Sequence, residues 1–146
     1  MRLVVVNAQK EAPVDLPRMQ RLARRAVRRL RIRTRGTLAI AFIDSRRMRT
    51  LNKRFLRHDR ATDVLSFRYD HHGAGGGGWG TIGTPIVGEL LIAPLEARRY
   101  AAAHGLAYTE ELSRYVMHGL LHWLGHEDRT KAQQQRMRRM EDRLLA

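Results

Sequence analysis

Two histidines four residues apart, His118 and His122, are followed by a glycine at position 125 and a carboxylate at Asp128. Side chains at i and i+4 of a helix lie one above the other on a single face, so the two imidazoles can grip one ion together. Gly125 lets the chain leave the helix in a left-handed conformation, and Asp128 is placed to swing back as a third ligand. Two nitrogens and one carboxylate suit a catalytic zinc, which keeps its fourth position open for water. Paired histidines can also be ordinary half-buried residues. Here Val116, Met117, Leu120, Leu121 and Leu124 put both rings in or near a core, where imidazoles without partners are costly. A shared metal gives both nitrogens a use.

The same stretch limits the chemistry. Metallopeptidases with the H-E-x-x-H pattern use the glutamate after the first histidine as general base. In this chain that position is Gly119, which cannot move a proton. What remains is a metal with three protein ligands in a strongly basic chain, and that combination points to hydrolysis of a polyanion.

The formal net charge is +14, and among the 28 basic side chains only Lys10, Lys53 and Lys131 are lysines. Such a balance favours nucleic acid or another polyanion as partner, and arginine's planar fork suits phosphate. The run from Arg21 to Arg35 falls mostly on one helix and its exit, and is read as solubility and general attraction rather than a site. There is no cysteine, so neither disulfides nor thiolate metal sites contribute, which fits a reducing cytoplasm. No apolar run approaches the roughly 20 residues that span a bilayer, so no membrane partner is expected. The opening Met-Arg-Leu-Val-Val-Val is too short for a signal peptide and reads as a strand.

These residues must be positioned by a single domain over 1–146, long enough for a core without staples. Valine-rich residues 2–7 read as a buried strand. Pro17 opens an amphipathic helix over about 17–31, carried by Met19, Leu22, Ala23, Ala26, Val27 and Leu30. Thr37 to Ile43 is a second strand, Asp44-Ser45 caps a helix over about 45–55, and Asp63 to Tyr69 is a third strand. Residues 71–80 carry too much glycine to hold a fold and read as a flexible hairpin insertion, with His71 and His72 exposed and incidental. Ile86 to Ala93 is a fourth strand, Pro94 opens a helix that Gly105 ends, and Thr109 caps the metal-bearing helix to about Leu124. A last helix over about 130–145 turns Met137, Met140, Leu144 and Leu145 inward. The expected fold is α+β: a small mixed four-stranded sheet packed with about five helices, the ligand helix buried in the middle.

With the motif placed, the chain resembles the YbeY family of small metal-dependent endoribonucleases over nearly its whole length. The matches are Thr62-Asp63-Val64-Leu65-Ser66-Phe67, Gly88-Glu89-Leu90 where the family usually has Gly-Asp-Ile, His118-Gly119-x-Leu121-His122-x-x-Gly125, and Met137-x-x-x-Glu141. The resemblance implies cleavage of single-stranded RNA, with roles in maturing the 3′ end of small-subunit ribosomal RNA and in ribosome quality control. Its implied partners are ribosomal RNA and the small ribosomal subunit, in the cytoplasm. It makes His118 and His122 the first two ligands of one Zn2+ per chain. The family's third ligand is usually histidine; Asp128 stands there, and the added negative charge should make the bound water somewhat less acidic. His126, four residues after His122, is a rival that the helix end at Gly125 turns away.

The family also carries an arginine shortly before the Thr-Asp-Val-Leu-Ser-Phe strand, thought to contact the RNA phosphate. Ungapped, that position falls on Leu56; a one-residue shift gives the catalytic role to Arg57, with Arg60 and Arg54 as fallbacks. In the strand itself Val64, Leu65 and Phe67 look like core, while Thr62, Asp63 and Ser66 could line a cleft. Two other classes stay open. One is a metallopeptidase-like hydrolase, against which Gly119 counts. The other is a non-catalytic ribosome assembly factor with a structural metal, which four protein ligands would mark.

Overall fold

A computed structural model of the chain describes residues 1–55, 64–69 and 85–146. In chain order its elements are β1 (Arg2–Ala8), α1 (Leu16–Arg29), β2 (Thr37–Ile43), α2 (Ser45–Phe55), β3 (Val64–Arg68), β4 (Ile86–Ile92), α3 (Pro94–His104), α4 (Tyr108–Trp123) and α5 (Lys131–Leu145). The fold is α+β, as the sequence pattern indicates.

The two continuous apolar runs form the centre of the sheet. β2 and β4 are buried along their whole length, as strands covered on both faces must be, and they pair in parallel. β1 joins β2 in parallel, and β3 runs antiparallel beside β4, giving the mixed order β1-β2-β4-β3. Alternation along β2 divides the core. Leu38, Ile40 and Phe42 pack with Met19 and Ala23 of α1, Leu112, Val116 and Leu120 of α4, and Met137 and Leu144 of α5. Ala41 and Ile43 pack on the other face with Met48 of α2, Leu65 and Leu91. β1 differs from the buried strand that its valines suggest. It is an edge strand, and Val5 alone is fully buried.

Helix ends follow local chemistry. Asp15 accepts from the Arg18 amide to cap α1, and Asp44 does the same for the Arg47 amide at the start of α2. The carboxylate of Glu11 also takes the Ser45 amide at 2.7 Å. Thr130 and Gln133 form a reciprocal capping box at the start of α5. Its C-terminal carbonyls receive Arg25 and Arg29 of α1, the latter at 2.7 Å from the Arg143 oxygen, where the helix dipole favours positive charge. Thr109 does not cap α4. That helix starts two residues earlier than a Thr109 cap would set it, with Ala107 at the cap position and no side-chain cap bond. Glu110 and Glu111 in the first turn suit the dipole instead. α4 is the most enclosed helix: Leu112, Val116, Met117, Leu120 and Leu121 are all buried.

Candidate metal centre

α4 delivers His118 and His122 from successive turns to one side of the helix end. Their rings meet edge-on, with centroids 4.5 Å apart, and the two Nε2 atoms are 3.0 Å apart. The helix then closes in a Schellman arrangement: the Gly125 amide donates to the His122 carbonyl and the His126 amide to the Leu121 carbonyl. Gly125 has φ +102°, a conformation that L side chains rarely adopt. The chain turns back, and Asp128 brings Oδ2 to 3.3 Å from His118 Nε2 and 3.4 Å from His122 Nε2. Gln134 of α5 donates to the Asp128 carbonyl at 3.1 Å, so the segment is held at both ends, by the α4 exit and the α5 entry.

The three atoms suit a metal. A tetrahedral ion with ligands at about 2.0–2.1 Å keeps them about 3.3 Å apart. The separations of 3.0, 3.3 and 3.4 Å match that triangle. The side chains of His118, His122 and Asp128 are each about a third exposed. A small cavity of about 240 Å³ lies beside them, lined by His122, Gly125, His126, Glu127, Asp128 and Arg129. Among the described residues these three are the only histidine or carboxylate side chains so grouped, and His126 is not one of them.

Behind the cluster stands a group whose part the sequence did not disclose. Glu141 of α5 is buried, and its Oε2 lies 2.7 Å from His118 Nδ1. It accepts the Nδ1 proton, which leaves the Nε2 lone pair facing the other two ligand atoms. Arg114, one turn before His118 on α4, donates to Glu141 Oε1 at 3.0 Å and to Asp142 at 2.7 Å. Burial acts to lower the Arg114 pKa, but the bonds to Asp142 and Glu141 outweigh it and hold the guanidinium above its ordinary value. A signal for Glu141 was available: it sits four residues after Met137 and three before Leu144, a carboxylate inside an apolar stripe.

Gly119 is explained by close approach. A Cβ there would lie 2.8 Å from Val64 Cγ1, and the Ser66 hydroxyl donates to the Gly119 carbonyl at 2.8 Å. β3 therefore lies directly on α4, and a side chain at 119 would run into it. Ser66 thus has a structural bond. Glu89 is buried on β4 and accepts from the Tyr69 hydroxyl at 3.2 Å; burial first, and Glu89 second, push the Tyr69 pKa up to about 12. Glu89 is not in the histidine–aspartate group. Arg57, Arg60, Thr62, Asp63 and residues 71–80 lie outside the described residues.

The profile of the family described as endoribonuclease YbeY matches residues 4–146. The chain belongs to the endoribonuclease YbeY family. Among relatives carrying that name, the Thermobifida fusca protein is 32% identical over 146 residues, covering 100% of this chain and 93% of its own length. The Myxococcus xanthus protein is 38% identical over 108 residues, 74% of this chain but only 35% of that longer protein. A solution structure of Thermotoga maritima TM1509 superposes with a TM-score of 0.58 at 19% identity, covering 97% of this chain and 88% of that one. That likeness is one of fold. The span matched by the YbeY family takes in the histidine pair, Asp128 and Glu141 alike.

Proposed function

We propose that this protein is a metal-dependent endoribonuclease that cuts single-stranded RNA, with one zinc ion held by His118, His122 and Asp128. The observation that carries this reading is the triangle of Nε2, Nε2 and Oδ2 atoms with sides of 3.0 to 3.4 Å, in a chain that belongs to a family of endoribonucleases. Zinc in such a site supplies Lewis-acid polarisation of a phosphoryl oxygen and acidifies water. The protein's own groups do the rest. Glu141 fixes the His118 ring through its Nδ1 proton, and Asp128 adds a negative charge that moderates the acidity of the site. Arg57 precedes β3 by seven residues in the sequence and, in this reading, neutralises charge that develops on the phosphate in the transition state. Gly119 leaves no base of the peptidase kind, because its Cβ position is taken by Val64.

The substrate in this reading is ribosomal RNA of the small subunit, at its 3′ end, and the setting is ribosome maturation and quality control in the cytoplasm. The family resemblance supports that assignment, and the net charge of +14 fits a phosphate backbone. Elemental analysis of purified protein, paired with cleavage of an unstructured RNA with and without chelator, tests the proposal. About one zinc per chain and chelator-sensitive cleavage are expected. Protein that holds zinc, leaves RNA intact at low salt and cuts unstructured peptides would overturn it.

A further inference from the structure

Away from the metal centre, α1 and the α4–α5 pair enclose an open groove of about 950 Å³. Its walls carry Arg18, Arg21, Arg24 and Arg28 of α1, Arg114 of α4 and Arg138 of α5. The sequence alone presents the α1 arginines as a solvated helix face. The fold instead sets them along one concavity. Arg25 and Arg29 are taken up by the carbonyls at the end of α5. In contrast, among the described residues no carboxylate pairs with Arg18, Arg21, Arg24, Arg28 or Arg138. The acidic lining is limited to Glu110 and Glu111, and Glu111 is buried. Leu22, Leu106 and Leu145 add an apolar part to the lining, and Leu106 is 45% exposed, one of two large apolar side chains left open among the described residues.

Unpaired cations around an apolar strip fit a ligand with regularly spaced anions and flat apolar faces. From Arg18 to Arg28 the helix rises about 15 Å, the length of about four phosphates in a stacked strand. Guanidinium groups meet phosphate oxygens with two parallel bonds. An acidic peptide would match the charge, but it brings no planar faces for the leucines to cover. We propose that this groove is a second binding site for single-stranded RNA, holding backbone phosphates beyond the bond that is cut. This rests on the endoribonuclease reading above. One wall of the groove is Arg114, which also holds Glu141, so the second site ends on the group that orients His118.

The test uses the full chain with Arg21→Ala, Arg24→Ala and Arg28→Ala combined, three exposed positions that leave the α5 end contacts intact. A second triple variant, Arg46→Ala, Arg49→Ala and Lys53→Ala on α2, removes the same charge elsewhere. Binding of a fluorescent, unstructured RNA icosamer is followed by anisotropy across salt concentrations, with chelator present so that nothing is cut. The groove variant should lose about tenfold or more in affinity at low salt, and its salt slope should fall by about 2, the value for three lost single-strand phosphate contacts. The α2 variant should lose much less, and both should unfold at the wild-type temperature. Equal losses in the two variants, or none in the groove variant, would overturn the proposal while wild-type RNA cleavage leaves the nuclease reading standing. Wild-type protein that neither binds nor cuts RNA would remove both. Polyglutamate held more tightly than RNA, in a way the groove variant abolishes, would make this a protein-docking surface and overturn the RNA assignment.

Discussion

Glu141 and His118 meet at 2.7 Å across the α4–α5 interface, and the same carboxylate receives Arg114 at 3.0 Å. The imidazole that reaches the candidate metal is therefore aimed from a different helix, 23 residues further along the chain. Glu141→Gln keeps the volume but removes the charge that fixes the ring. It should weaken zinc binding by about 10- to 100-fold, the usual effect of losing such a partner. Competition with a chromophoric chelator measures this directly, and an unchanged affinity would deny Glu141 the role.

Arg114→Met tests the outer half of the same relay. Glu141 is buried, and loss of its cation leaves a carboxylate still bonded to the His118 ring. Because Arg114 is itself partly exposed, solvent softens the loss, and a destabilisation of about 1–3 kcal/mol is expected. Chemical denaturation gives the value. The variant should also bind zinc less tightly, since a freed Glu141 holds the His118 ring less firmly.

Removal of the ligands themselves should separate the three residues from their neighbour. His118→Ala and His122→Ala should each lose bound metal on elemental analysis. Asp128→Ala should weaken binding strongly and His126→Ala should do little, because Oδ2 of Asp128 completes the triangle and His126 stays outside it. Asp128→His should restore binding, since three imidazoles also make a zinc site. Metal retained at full occupancy by both histidine variants would place the site elsewhere.

The path from sequence to site was legible where the information is local. Spacing alone puts His118 and His122 on one helix face, and a left-handed glycine ends that helix; both features are present, with Gly125 at φ +102°. β2 and β4 read as strands because their apolar runs are buried on both faces. Edge position is not local, so valine content made β1 look more buried than it is. Ala107 offers no side chain to cap α4 with, so Thr109 reads as the nearest cap and sets the helix start too late. Glu141 belongs to a pattern legible in the sequence, yet its purpose depends on how α4 and α5 pack. The groove likewise exists only once α1 lies beside them.

Gly119 provides a stability test with a built-in control. Gly119→Ala should cost about 1–3 kcal/mol, because the new Cβ would sit 2.8 Å from Val64 Cγ1 and β-branched side chains have little rotamer freedom to move aside. Adding Val64→Ala removes the obstructing methyl, so the pair should recover part of the loss. Denaturation of the two single variants and the double variant forms the cycle. Strictly additive losses would mean that the contact between α4 and β3 is not what excludes a side chain at 119.

Charge at the reacting phosphate and charge along the strand should separate kinetically. Arg57→Ala should lower the cleavage rate at saturating RNA by about 100-fold or more, as loss of a group that stabilises developing charge does. It should leave RNA binding within about twofold, since one of many phosphate contacts contributes little to affinity. The groove triple variant at Arg21, Arg24 and Arg28 should behave in the opposite way, raising KM for a long RNA and leaving kcat unchanged, because its contacts are equally strong in ground and transition states. Single-turnover cleavage over a range of RNA concentrations reads both quantities from one experiment. If Arg57→Ala raises KM with kcat intact, Arg57 is a backbone contact, and the charge-neutralising role passes to Arg60 or Arg54, each open to the same measurement.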